Sequence, residues 1–499
     1  MNNNYYQEVK DHLQKIFDIE ASIALLNWDQ ETYMPKGGAA QRSRQISTLS
    51  TLAHELTTDK AFIDKVTHLY NELDKLNPEE ATNIRETYRQ INRASKLDSD
   101  FVKKRSECIS KTYQIWIASR ESKDTAPYIE QLKELVSIKQ EEAERIGYEG
   151  HIYNALLEEF EPGMRCEELD TIFEGVKSHL KPLLQNIKAK SAPKDDFMYA
   201  FYDKDKQWDY GIELLKNMGY DFNRGRQDLS VHPFSTGFGS DDIRVTTRVN
   251  EHNFASMIWS CIHEGGHALY EQGMLSENYG LPMGRYISLG IHESQSRLWE
   301  NHVARSKSYW TYHYPETQKL FEENLSGVSM DDFYAAANKI SATPIRTEAD
   351  ELHYHFHVLI RYEIEKDLMD GSLPVDQAEE RWNALYKEYL GLDITDPNEG
   401  ILQDIHWSLG SIGYFPTYSI GSFYAAQFYQ KAKEEIPGME AQIEQGDSSA
   451  LLSWLNKNIH EKGMLHGAKQ LCEKLTGETL SYDYFKDYVE EKYGALYQL

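Results

Sequence analysis

The pentapeptide His263-Glu264-Gly265-Gly266-His267 sets two histidines four positions apart, with a glutamate between them. On a helix that spacing puts both imidazoles on one face, a turn apart, where they can reach one ion. Glu264 is rotated about 100° from His263, which carries its carboxylate beside the ion, where it can accept a proton from water. The surrounding residues Phe254, Met257, Ile258, Cys261, Ile262 and Leu269 recur at helical spacing. Two consecutive glycines cost about 1 kcal/mol each in a helix interior, so they imply that another backbone or a substrate approaches closely.

A catalytic zinc takes three protein ligands and keeps one position open. Glu271 is the nearest further carboxylate, but it stands two turns from His263, roughly 12 Å along the axis, so these side chains cannot share an ion. A second helix must supply the third ligand, and Ile291-His292-Glu293-Ser294-Gln295 offers one. Glu293 is the expected ligand; its neighbour His292 turns away when Glu293 points inward. His353, His355 and His357 alternate as strand ligands would, yet Leu352, Phe356, Leu359, Ile360 and Glu363 follow helical spacing. They are expected on a helix packed near the site, with His357 as a neighbouring group and no second metal.

The elements that must position these groups are mainly helical. Tyr5 to Asn27 places Val9, Leu13, Ile16, Phe17 and Ile23 on one broad face, and segments 60–93, 100–122, 127–147, 167–190 and 423–436 read similarly. Residues 228–248 are the exception: a turn-rich stretch precedes Asp242-Ile243-Arg244-Val245-Thr246-Thr247-Arg248, where alternation and β-branching predict a short strand lining a cleft. No linker or internal repeat divides the chain, so a single domain over 1–499 is expected, mainly α, with a deep groove and a small β element.

Composition narrows the partners. A net charge of −27 over 499 residues argues against nucleic acid and against an anionic membrane surface. It also suggests a groove that favours basic peptides. There is no long apolar run and no basic-then-apolar leader, and the four cysteines form no paired spacing, which together suit a soluble protein of the cytoplasm.

Ordered motifs extend these observations: His232-Pro233-Phe234, Asp242-Ile243-Arg244-Val245-Thr246, His263 to His267, His292-Glu293-Ser294-Gln295, Ile345-Arg346-Thr347-Glu348-Ala349-Asp350, and Gly400 to Trp407. The opening Asn27 to Pro35 belongs with them. With these motifs the chain resembles the thermostable-carboxypeptidase family of metallocarboxypeptidases (the Taq type, peptidase family M32) over essentially its whole length. The resemblance implies a neurolysin-like helical fold, one zinc per chain that cobalt can replace, broad specificity for peptide C-termini, and a homodimer. It also implies His263, His267 and Glu293 as ligands and Glu264 as general base. Related zinc peptidases often carry an Asp four residues after the ligand Glu to orient a histidine; here Arg297 stands there, so that carboxylate must come from elsewhere.

His406, in the last motif, and Tyr418 beyond it flank a Gly-rich loop, much as related zinc peptidases place a His and a Tyr, and are candidates to stabilise the developing oxyanion, with Tyr414 as the alternative. Arg346 first, then Arg244, are candidates to receive the free C-terminal carboxylate through a guanidinium fork. Two other readings are open. An endo-oligopeptidase or dipeptidyl carboxypeptidase could share the site. A helical scaffold with a structural metal is disfavoured, because structural zinc sites are closed and usually cysteine-rich.

Overall fold

The computed structural model describes residues 2–499. Long helices dominate, and their ends carry the chemistry that starts helices. Asn77 and Glu80 form a reciprocal capping box ahead of Pro78–Ser95, and Asp98 accepts from Phe101 N at the start of Ser99–Ser122. The amphipathic segments fall where periodicity predicts them: helix α1 covers Asn2–Thr32, and further helices cover Ala126–Ile146 and Cys166–Lys188. The stretch 60–93 is two helices, Lys60–Tyr70 and Pro78–Ser95, split near the Asn77-Pro78 punctuation.

Apolar side chains collect into two clusters. The small one, built on Val9, Ile16, Phe62, Val66, Leu69, Ile84 and Ile91, holds the N-terminal helices together. The large one runs from Phe101 to Tyr497 and holds most of the buried apolar side chains.

The β element is larger than expected. Strands β1 (Gly225–Leu229), β2 (Ser235–Gly237) and β3 (Ile243–Thr247) form a three-stranded sheet in the order β1-β3-β2. β3 is the predicted strand; it runs parallel to β1 and antiparallel to β2. β1 escapes a propensity reading because Gly225-Arg226-Gln227-Asp228-Leu229 is polar. Several of its polar groups find protein partners: Arg226 pairs with Asp228 at 2.6 Å, and the Gln227 side-chain oxygen accepts from the Cys261 thiol. Gly225 is needed there, since a Cβ would lie 2.0 Å from the Ile243 carbonyl.

Four further helices frame the centre of the molecule: α2 (Phe254–Gln272), α3 (Leu289–Arg297), α4 (His353–Asp370) and α5 (Pro416–Glu435). A π-helical turn, Leu298–Ala304, continues α3.

Candidate metal centre and active site

Helix α2 begins at Asn253, whose side chain accepts from Ser256 N, and it carries His263, Glu264 and His267. The double glycine has its physical reason. A Cβ on Gly266 would lie 2.6 Å from Ser296 Cα and 2.8 Å from the Gln295 carbonyl, so only glycine lets α3 approach this closely. Gly421 on α5 does the same on the other side, where a Cβ would meet Glu293 Cβ at 2.5 Å. Helix α3 is therefore held between two backbones at the level of Glu293.

The donor atoms of His263, His267 and Glu293 all lie within 4.8 Å of one another. Glu293 Oε2 stands 3.6 Å from His263 Nε2 and 3.4 Å from His267 Nε2. The outer nitrogens are committed: His263 Nδ1 donates to Glu300 Oε2 at 2.9 Å, and His267 Nδ1 donates to the His292 carbonyl at 3.0 Å. A carboxylate and a carbonyl only accept, so both Nε2 lone pairs face the common centre. Two imidazoles and a carboxylate converging this way fit a divalent metal with an open position.

Glu300 is the carboxylate that orients His263. Arg297, standing where related peptidases carry an acid, bridges the two glutamates: it donates to Glu293 Oε1 at 2.7 Å and reaches Glu300 Oε2 at 3.3 Å. Arg305 pairs with Glu300 Oε1 at 3.0 Å. Glu293, Arg297 and Glu300 follow i, i+4, i+7 spacing, the sequence signal that marks this stripe. Burial opposes the charged forms of both glutamates, but Arg297 and the histidines hold them well below the usual carboxylate range. Burial pushes His267 down to about 3, which keeps it neutral, and pushes Glu264 up to about 7, with Glu293 adding to the rise and His263 opposing it.

His292 turns away as helical geometry requires; its Nε2 meets Glu271 Oε1 at 2.8 Å, and its ring stacks on His267 at 4.4 Å. His353, His355 and His357 lie on α4, as expected. His357 is bonded to Tyr386 and to the Thr343 carbonyl, and His355 to Ser419, so neither hydrogen-bonds a ligand of the metal centre.

A cavity of about 910 Å³ opens over the centre. Its lining includes His263, Glu264, His267 and Glu293 on the floor, Phe234 to Gly237 on the sheet side, Tyr414 and Tyr418 opposite, and Phe17, Glu20 and Arg89 from the N-terminal helices. β2 is the sheet edge nearest the centre. His406 stands behind Tyr418, its Nε2 3.1 Å from the phenol oxygen. Burial pushes His406 down to about 3, with Arg346 acting the same way and Asp404 opposing.

The two arginines have protein partners. Arg346 is 5% exposed; its Nε and Nη2 donate to Asp404 at 3.1 and 2.8 Å, and its Nη1 donates to the Tyr354 hydroxyl at 3.1 Å. Its guanidinium carbon lies 4.9 Å from the centre of the Tyr418 ring. Arg244 pairs with Asp242 at 2.8 Å and lies 4.4 Å over the Trp28 ring, so it clasps α1 to the sheet; neither Arg244 nor Arg346 is part of the cavity lining.

Comparison with known proteins agrees with this geometry. The model of the carboxypeptidase Taq (M32) metallopeptidase family matches residues 8–493. Thermostable carboxypeptidase 1 of Thermus thermophilus is 37% identical, with 99% of each chain covered. Carboxypeptidase 1 of Bacillus subtilis is 35% identical over 100% of this chain and 99% of its own. Among solved structures, the M32 carboxypeptidase of Deinococcus radiodurans R1 superposes with a TM-score of 0.97 at 35% identity, covering 99% of this chain and 100% of that one. The chain belongs to the carboxypeptidase Taq (M32) metallopeptidase family and is a metallocarboxypeptidase, a peptide hydrolase that depends on a divalent metal.

Proposed function

We propose that this enzyme holds one zinc ion per chain on His263, His267 and Glu293, with cobalt able to replace it, and releases single residues from peptide C-termini with broad specificity. The observation that carries the reading is the convergence of the three donor atoms within 4.8 Å, with each imidazole's outer nitrogen already committed to a protein acceptor. The ion, when bound, supplies a Lewis acid that acidifies water and polarises the scissile carbonyl.

The protein's own groups do the rest. Glu264, buried at the cavity floor, accepts the proton of the attacking water and returns it to the leaving amine. The Tyr418 phenol, kept protonated by burial and backed by His406, donates to the oxyanion; Tyr414 is the neighbouring donor on the same wall. The edge of β2 suits pairing with an extended substrate backbone. For the free carboxylate Arg346, which stands behind the cavity-lining Tyr418, is the candidate, through the N–H edges not used by Asp404 and Tyr354; Arg244, engaged with Asp242 and Trp28, is assigned to holding α1. Broad specificity is supported by a lining that mixes Pro233, Ile243, Met274 and Tyr286 with charges that are already paired, such as Arg285 with Glu20.

We further propose one domain over 1–499 and action as a homodimer in the cytoplasm. Four free, buried cysteines suit a reducing compartment, and no helix among the described residues is long and apolar enough to cross a membrane. The test is a mass-spectrometric time course with chelator-stripped protein reloaded with zinc or cobalt. Stepwise loss of single C-terminal residues, absent in stripped protein, is expected. Internal cuts, or release of residue pairs, would move the assignment to an oligopeptidase or dipeptidyl carboxypeptidase.

A further inference from the structure

Glu161 stands outside the metal centre and is 1% exposed. It ends the short helix Asn154–Phe160, and its carboxylate is spent on the first turn of α3. Oε1 accepts from the Ser288 hydroxyl at 2.9 Å and Oε2 from Gly290 N at 2.8 Å. Ser288 in turn caps α3, its Oγ accepting from Ile291 N at 3.1 Å. The fit leaves no room: a Cβ on Gly290 would meet Glu161 Oε2 at 2.5 Å. No Lys, Arg or His among the described residues forms an ion pair with Glu161, so these hydrogen bonds are what hold it. Its chain neighbours face the substrate space. Glu159, Phe160 and Pro162 line the cavity, and Phe160 packs edge-on against Tyr414 at 5.2 Å.

A buried carboxylate is costly unless its oxygens are satisfied, and a helix N-terminus satisfies them with N–H groups and a favourable dipole. Here that helix carries Glu293 on its next turn. We infer that Glu161 is a positioning residue for metal binding, fixing the first turn of α3 so that Glu293 meets His263 and His267. The inference rests on Glu293 being a ligand, as proposed above.

The test uses the full chain and measures the zinc dissociation constant by competition with a chromogenic chelator, alongside kcat and KM on a peptide. Glu161→Ala is expected to weaken zinc binding about tenfold or more and to lower kcat more than KM at saturating zinc. Glu161→Gln, which keeps an acceptor for Gly290 N, is expected to recover most of the affinity. Gly290→Ala, which displaces the carboxylate from the other side, is expected to weaken zinc binding as Glu161→Ala does and stands in if that variant fails to fold. Wild-type zinc affinity in folded Glu161→Ala or Gly290→Ala, with only thermal stability reduced, would overturn the inference and leave Glu161 a brace. Glu293→Gln separates the two readings: wild-type zinc affinity in that variant would remove the ligand assignment itself.

Discussion

Two buried clusters of carboxylates and guanidiniums adjoin each other through Tyr354, built alike and exposed differently. In the first, Glu293 and Glu300 are held by Arg297 and Arg305, and the cluster ends in imidazole nitrogens aimed into the cavity. In the second, Asp404 is held by Arg346 and by Arg361, whose Nε lies 2.6 Å from Oδ2, and the cluster ends behind Tyr418 and His406. The first leaves donor atoms free to take an ion. In the second, Phe415 and Trp382 pack against the guanidiniums of Arg346 and Arg361, so it stiffens a wall, and the N–H groups of Arg346 not used by Asp404 and Tyr354 are what it leaves for a substrate. Compensated charge can thus either present ligands or fix neighbouring side chains, according to which atoms remain without a protein partner.

The comparison can be broken by removing one group at a time. The largest effect is expected at Glu264, the proposed general base: Glu264→Gln should lower kcat about 10²–10⁴-fold, with metal content unchanged by elemental analysis. Next, Asp404→Asn strands two buried guanidiniums and should cost about 3–5 kcal/mol in urea unfolding. Burial opposes the ionised form of Asp404, but Arg346 and Arg361 outweigh it and hold its pKa far below the ordinary value. A carboxylate so depressed contributes stability above its unfolded pKa and loses that contribution as pH falls. The gap between wild type and Asp404→Asn should therefore be constant above roughly pH 4 and narrow below it.

Tyr418→Phe keeps the ring over Arg346 and removes the phenol, and should lower kcat about 10²-fold with little change in stability. A comparable loss of stability would make Tyr418 a packing residue of the second cluster. Smallest is Glu300→Gln, which leaves an acceptor near His263 Nδ1 while uncoupling Arg297 and Arg305. It should weaken zinc affinity about 10-fold, read by chelator competition. A loss of kcat at unchanged affinity would mean that Glu300 tunes the chemistry and does not hold the ligand.

Much of this architecture is legible in the sequence because it is local. His263 and His267 share a helix face by spacing alone, and periodicity places α1 and the helix Ser99–Ser122 within a few residues of their ends. Gly265-Gly266 foretells a close approach, although only the fold names Ser296 and Gln295 as the neighbours. What was not legible is tertiary. Arg346 meets Asp404 58 positions away, and Glu161 reaches Gly290 across 129. β1 is not legible because its residues are polar and are held by side-chain partners, Asp228 with Arg226 and Cys261 with Gln227, that no propensity scale counts. Glu300 could have been found, since it lies two turns beyond Glu293 on the same stripe.

The most direct test of the central claim offers one peptide with a free and with an amidated C-terminus to the zinc-loaded enzyme, and repeats both with Arg346→Ala. Rapid single-residue release from the free peptide alone, with kcat/KM falling sharply in the variant while zinc is retained, is the predicted result. Equal cleavage of both peptides, or wild-type kcat/KM in Arg346→Ala, would contradict the reading of Arg346 as the group that receives the carboxylate.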